Sequence, residues 1–220
     1  QLGLECTPYH TVTLLQNKSK VRELTNDIDS LQAIRSYIYN QELPEPKFLP
    51  CVVKPVEGSG KSGVSFANSI QEFHDAIAYT MASSDSTPLV EEYAGGNEVS
   101  VECISFQGKH YVIQVTDKES SGAPHFVEMG HSQPSRHSVE IREEIARVAK
   151  AAVKAVGIEN GPSHTEIMVT EDGPKIVEIG ARMGGDCIGS DLVQISTGHD
   201  FVQYVLDVSL GKELKLKETK

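Results

Sequence analysis

The chain has 220 residues, 39% hydrophobic and 23% charged, which is enough for one large core or two small ones and reads as an ordinary soluble composition. Its 31 acidic against 20 basic residues give a formal charge of −11, which argues against nucleic acid as the main partner while leaving room for local phosphate contacts. No apolar run approaches the roughly 18 residues of a membrane span, and no signal peptide is visible. Four scattered cysteines without a C-x-x-C pair, and eight histidines without a zinc-spaced cluster, fit a cytoplasmic protein with reduced thiols and no structural zinc.

Residues 11–40 read as helical, ending before a connector marked by Pro44 and Pro46. The stretch PCVVKP, residues 50–55, is a short apolar strand carrying one lysine, Lys54. Next come the glycine-rich loop EGSGKSG, residues 57–63, and an extended VSFA. Ser69 with Glu72 three residues on is a capping box, opening a helix whose apolar stripe is Ile70, Phe73, Ile77 and Met81. PLVEEY, residues 88–93, reads as a buried strand running into Gly95-Gly96. From Glu98 the period-two pattern EVSVEC predicts a strand with one wet face, turned back at Gln107-Gly108 into HYVIQVT. Residues 118–137 show no period and hold Gly, Pro and three His, so a long loop is expected there.

Residues 138–157 carry an apolar stripe of Ile141, Ile145, Val148, Ala152 and Val156, acidic residues early, basic residues late, and a glycine stop. A hairpin then follows in HTEIMVTEDGPKIVEIG, and a mostly helical tail over residues 190–210. Antiparallel hairpins mixed with helices suggest an α+β fold in two subdomains around a cleft.

Folded about Asp172, the hairpin sets Glu166 opposite Glu178. It also puts His164, Met168, Ile176 and Gly180 on their face, and Ile167, Val169 and Val177 on the other. Like charges opposite one another are destabilising, and a divalent cation between them removes the conflict; Mg²⁺ suits two hard carboxylates. The other reading is a solvated face on which both are wet. PVEGSGKS departs from a Walker A loop at Pro55 and runs into a strand pattern, so it is either a flap over phosphates or a plain hairpin tip. Lys54 must snorkel or meet an anion. Glu91, Glu92 and Glu98, each considered singly, read as solvated strand ends.

In their order, Lys54, GSGKSGV, VEEY, EVSVE and HTEIMVTEDGPKIVEIGARMGGD resemble the ATP-grasp superfamily, and within it the carboxylate–amine ligases of the L-amino-acid ligase kind. The likeness covers roughly residues 17–210. It implies two α+β subdomains gripping ATP between antiparallel sheets: a helical lead-in and connector over 1–48, a small lid over 49–94 and a larger subdomain over 95–220. It implies that Lys18 and Lys54 contact the nucleotide, Lys54 with a catalytic part, beneath a flap of Gly58, Ser59, Gly60, Lys61, Ser62 and Gly63. Glu91, Glu92 and Tyr93 would line the adenine hinge, the tyrosine through its backbone, and Glu98 would accept from the ribose. Glu166 and Glu178 would hold Mg²⁺, with Mn²⁺ as an alternative ion. Arg182 would stabilise the transferred phosphoryl group, and Arg182, Gly184, Gly185 and Asp186 would face the substrate, unless Asp186 caps the tail helix.

Many relatives have Asn two residues after the second glutamate; Gly180 stands there, so a third protein ligand is not visible. Lys118, His125 and His131 on the long loop have two readings, a contact to substrate or a solvated surface group, and the second is preferred for each. The implied reaction forms an amide through an acyl phosphate, using ATP, a small carboxylate such as an amino acid, and an amine. Neither membrane nor nucleic acid is an expected partner, and a homo-oligomer stays open. An ATP-grasp carboxylase or purine-pathway ligase is the related alternative, and a non-catalytic nucleotide-binding or regulatory module the alternative of another class. Such enzymes usually carry a further α/β domain ahead of the core, so the resemblance implies a piece of a longer protein.

Overall fold

The computed structural model describes residues 3–28, 30–42, 45–58, 62–124 and 126–216. Its smaller antiparallel sheet has the order β1-β4-β2-β3, built from β1 (Ser36–Ile38), β2 (Cys51–Pro55), β3 (Ser65–Ala67) and β4 (Pro88–Glu92). Helix α3 (Ile70–Ser83) covers one face, burying Phe73, Ala76 and Ile77 against Cys51, Val53 and Val90. Ser69 caps it by accepting from the Glu72 N–H at 3.2 Å, while the Glu72 carboxylate reaches one residue further, to the Asn68 N–H. The stripe is rotated from the expected one: Ile70 and Met81 are about half exposed, and Ala76 and Thr80 go inside.

The 11–40 stretch is not one helix. Asn17 restarts the chain as an N-cap, its side chain accepting from the Lys20 N–H, so α1 (Tyr9–Leu15) and α2 (Lys18–Asn26) are separate. The chain then extends into β1, whose Tyr37 pairs with Val90. The small sheet thus takes an edge strand from the segment read as lead-in.

The larger antiparallel sheet has the order β7-β6-β5-β8-β9, from β5 (Asn97–Phe106), β6 (Lys109–Ser120), β7 (Glu128–Ser132), β8 (Gly161–Thr170) and β9 (Gly173–Gly180). Helix α4 (Val139–Ala155) packs Ile145, Val148 and Ala152 onto Val99, Val101, Ile167 and Ile179 of one face, where α2 adds Val21. The opposite face carries Glu98, Ser100 and Glu102 on β5 and, by register, Met168, Glu166 and His164 on β8. Its far end is covered by a π-helical turn (Ile188–Leu192), α5 (Val193–Thr197) and α6 (Phe201–Ser209), with Phe201 and Val208 against Ile104. The face expected to be wet is therefore partly buried, and Ser100 and Glu102 are fully enclosed.

Two further expectations change. Residues 118–137 are not one loop, because β6 runs to Ser120 and β7 pairs with it, Lys118 opposite His131. In the β8–β9 hairpin, Glu166 does stand opposite Glu178, but a bulge shifts the register between Glu166 and Ile167, so that Ile167 pairs with Ile176. The extra residue sends Ile176 into the core and brings Val177 to the cleft beside Glu178, reversing the faces predicted for both. Among the described residues no helix is long and apolar enough to cross a membrane.

Candidate active site

A cleft of about 880 Å³, open mouth included, lies between the two sheets. Lys54 projects from β2 into it but is itself almost entirely buried. The anion it meets is Glu91 of the neighbouring β4, at 2.7 Å. Glu91 also pairs with the buried Arg22 of α2 at 2.8 Å. Burial works against the charge of Glu91, but Arg22 and Lys54 outweigh it and hold the carboxyl below its usual range. Arg22 further donates to the carbonyls of Ile176 and Val177, the backbone groups at the bulge. One guanidinium thus ties the lid sheet to the larger sheet and satisfies carbonyls that the bulge removes from the ladder. The side chain of Glu91 is committed to this network. Arg22 escaped sequence reasoning because an arginine within a short helix looks like a solvated charge.

The opposite wall carries Glu98, Glu166 and Glu178. Lys118 stands among acids: its Nζ lies 2.6 Å from Glu166, 2.7 Å from Glu98 and 2.9 Å from Glu128. Its side chain is 2% exposed, so the surface role expected for it is replaced by a buried one. Burial opposes the ammonium's charge, yet Glu166 and Glu98 raise its pKa above the ordinary lysine range. Glu166 is held far below the usual carboxylate range: burial opposes this, and His164 and Lys118 overcome it. Behind Glu166, His164 Nδ1 lies 2.5 Å from the fully buried Glu102, whose other oxygen accepts from the Gly184 N–H at 2.9 Å. Burial alone would lower the imidazole's pKa, but Glu102 and Glu166 raise it to about 9. Glu102 belongs to the quoted EVSVE, where simple alternation made it one more wet residue.

The donor set fits a hard cation. Glu166 and Glu178 face each other across two strands on the cleft wall, and oxygens of Glu98 and Glu128 come within 4.8 Å of an oxygen of Glu166. Carboxylate oxygens alone suit Mg²⁺ or Mn²⁺. Gly180 contributes no side chain, and the carboxylates that approach Glu166 from β5 and β7, Glu98 and Glu128, are both paired with Lys118.

Around the mouth, Lys18 Nζ donates to the Gly58 carbonyl at 2.6 Å, and the Thr80 hydroxyl to that of Gly63 at 2.7 Å, so both ends of the glycine loop are tethered. Gly58 and Ser62 line the cleft; Ser59, Gly60 and Lys61, like His125, lie outside the described residues. The loop joins β2 to the antiparallel β3, unlike a Walker A strand–loop–helix. Glu92 lines the cleft while its carboxylate turns out to Arg35 at 2.5 Å. Tyr93 does not line it: its N–H is spent on the Pro50 carbonyl at 3.1 Å, and its ring packs between Phe66 and Phe126. Ala94 and Phe126 line the cleft instead, neither marked by any sequence pattern.

Beyond β9, Arg182 is exposed, its guanidinium on the Met183 carbonyl at 2.9 Å. Gly185 is open. Asp186 makes no helix cap, since the π-helical turn begins after Cys187 without a side-chain cap; it lies 3.7 Å from His131. His131 is a nearly buried member of β7 rather than a surface loop residue.

Two antiparallel sheets closing on a cleft, with lysines on one wall and carboxylates on the other, define a nucleotide-grasping class of protein. The chain belongs to the ATP-grasp family, whose ATP-grasp domain matches residues 47–191. It superposes on the solved L-amino acid ligase from Bacillus licheniformis with a TM-score of 0.83 at 30% identity, covering 95% of this chain and 51% of that one. It is 25% identical over 181 residues to dapdiamide A synthase of Enterobacter agglomerans, covering 77% of this chain and 41% of that protein. It is also 25% identical over 228 residues to alanine–anticapsin ligase of Bacillus subtilis (strain 168), covering 92% and 46%. The chain spans about half the length of these relatives, or less.

Proposed function

We propose that this chain is the nucleotide-binding core of an ATP-dependent carboxylate–amine ligase that joins an amino acid, or a similar small carboxylate, to an amine. The observation that carries this reading is the pair of charged walls: Lys18 and Lys54 on one side of the cleft, the opposed Glu166 and Glu178 on the other. Phosphoryl transfer is chiefly positioning and charge neutralisation, which such walls can supply without a nucleophilic side chain. Names of similar proteins, two ligases and a synthase, support the same reading.

In this scheme a substrate carboxylate oxygen attacks the γ-phosphorus and ADP leaves. The amine nitrogen then attacks the acyl carbon, expelling phosphate and leaving an amide. Lys54 is held in place by Glu91, so its ammonium meets the phosphates without first being ordered. Lys18 anchors the near end of the glycine loop, which covers the phosphates and keeps water from a hydrolysable acyl phosphate. Glu98 accepts from the ribose, while the backbone around Glu92 and Ala94 borders the base. Glu166 and Glu178 hold Mg²⁺, or Mn²⁺, which when bound offsets the charge of the phosphate oxygens. Arg182, in leaving the Met183 carbonyl, reaches the substrate end with Gly184, Gly185 and Asp186 around it.

The test is phosphate and ADP release by the full-length protein with Mg²⁺, across a panel of amino acids paired with amines. Release is expected only when a matched carboxylate and amine are both present. No release with any pair refutes the ligase reading, and release driven by bicarbonate moves the protein to the carboxylases.

A further inference from the structure

The role of Lys118 is not accounted for by the scheme above. Its ammonium has three N–H donors, and three carboxylates take them: Glu98 from β5, Glu128 from β7 and Glu166 from β8. Two of these are the groups assigned above to the ribose and to the metal. They are brought together by a lysine side chain that is 2% exposed and therefore cannot swing freely into water. Without it, three carboxylates with oxygens within 4.8 Å of one another would repel strongly.

We propose that Lys118 is a resident cation of the nucleotide-free protein, filling the place among Glu98, Glu128 and Glu166 and so excluding a divalent ion that arrives alone. A free divalent ion reaching Glu166 joins a carboxylate whose Oε1 already carries an ammonium 2.6 Å away, and like charge opposes it. An ion arriving with a nucleoside triphosphate brings several negative charges, which accommodate ion and lysine together. The ribose hydroxyls meanwhile draw on Glu98, loosening one of the three bonds that hold the ammonium. Metal binding thereby becomes conditional on nucleotide binding, a coupling that has to be reciprocal. This inference rests on the assignment of Glu166 and Glu178 as the metal pair.

The experiment measures Mn²⁺ binding, by the free-ion electron paramagnetic resonance signal, to wild type and to Lys118→Met, each with and without a non-hydrolysable ATP analogue. Wild type should bind Mn²⁺ weakly alone and at least tenfold more tightly with the analogue. Lys118→Met should bind Mn²⁺ alone at least tenfold more tightly than wild type does, and Mn²⁺ alone should raise its melting temperature. Lys118→Arg, which keeps the charge, should behave as wild type. If Lys118→Met does not fold, Lys118→Gln, whose amide still donates to two carboxylates, is measured against the same criterion. If the neutral variant binds Mn²⁺ no better while wild type with the analogue binds it through Glu178, the lysine inference falls and the metal site stands. If wild type with the analogue takes up no Mn²⁺ either, the metal assignment falls and the inference with it.

Discussion

Adjacent glutamates of VEEY hold arginines in opposite settings, and replacing each arginine separates buried from exposed charge. Arg22 is 3% exposed and its partner Glu91 6%, whereas Arg35 is 68% exposed and its partner Glu92 16%. Arg22→Met keeps most of the stem but removes the pair to Glu91 and the donors to the Ile176 and Val177 carbonyls. Breaking a buried pair by removing one partner costs about 3–5 kcal/mol. Glu91 keeps Lys54 at 2.7 Å, which favours the lower end, while two carbonyls left without their donor push the other way. The expected loss is about 3–4 kcal/mol, or a melting temperature lowered by roughly 6–16 °C for a chain of this size.

Arg35→Ala should cost no more than about 1 kcal/mol, since its charge is already in water. The chain has no tryptophan, so urea unfolding is followed by far-ultraviolet circular dichroism. Midpoints are compared at an unchanged slope, so that the shift reports native stability. If Arg22→Met lies within about 1 kcal/mol of Arg35→Ala, the argument that this arginine staples the two sheets is wrong.

Other outcomes follow from the same geometry. Gly184→Ala would place a methyl 2.5 Å from Glu102 and 2.9 Å from His164, while Gly185→Ala would meet nothing within 4 Å. The first should lose about 1–3 kcal/mol and the second stay within about 0.5 kcal/mol in the same unfolding assay. His164 titrates near 9 in the folded chain against 6.5 ordinarily, so its contribution is complete below about pH 6.5 and disappears as pH rises through 9. On the order of 3 kcal/mol should be lost across that window in metal- and nucleotide-free protein, and His164→Gln should flatten the profile. Glu178→Ala should leave the fold intact but weaken Mg·ATP at least tenfold, seen as a smaller rise in melting temperature with added Mg·ATP. An unchanged rise would remove Glu178 from the metal pair.

The local pattern carried the elements whose repeat and turn chemistry agree. The Ser69 cap, the stripe of α4 from Ile145 onward (the expected Ile141 is exposed), and the pairing of Glu166 with Glu178 all follow from short-range rules. Periodicity states which residues share a face but not what covers that face, and the misreadings cluster there. EVSVE alternates as a half-wet strand should, yet Glu102 is sealed in by His164 and the Gly184 backbone, which approach from β8 and beyond β9. Residues 128–132 pair at the sheet edge without an alternating signal, and their pairing with β6 surrounds Lys118 with acids from three strands. A bulge of one residue exchanged Ile176 and Val177 between core and cleft, and only the ladder reveals it.

By itself, then, the sequence determined helices mixed with antiparallel hairpins, a glycine-rich loop between two strands and a hairpin with opposed carboxylates, because those depend on neighbours close in the chain; the tethers at both ends of the loop came only with the fold. Tertiary structure alone decided which charges neutralise which. Arg22, Glu91 and Lys54 meet from positions as much as 69 residues apart, and Lys118 reaches Glu166 across 48, because a buried charge must find its partner wherever the packed sheets bring one within hydrogen-bond reach.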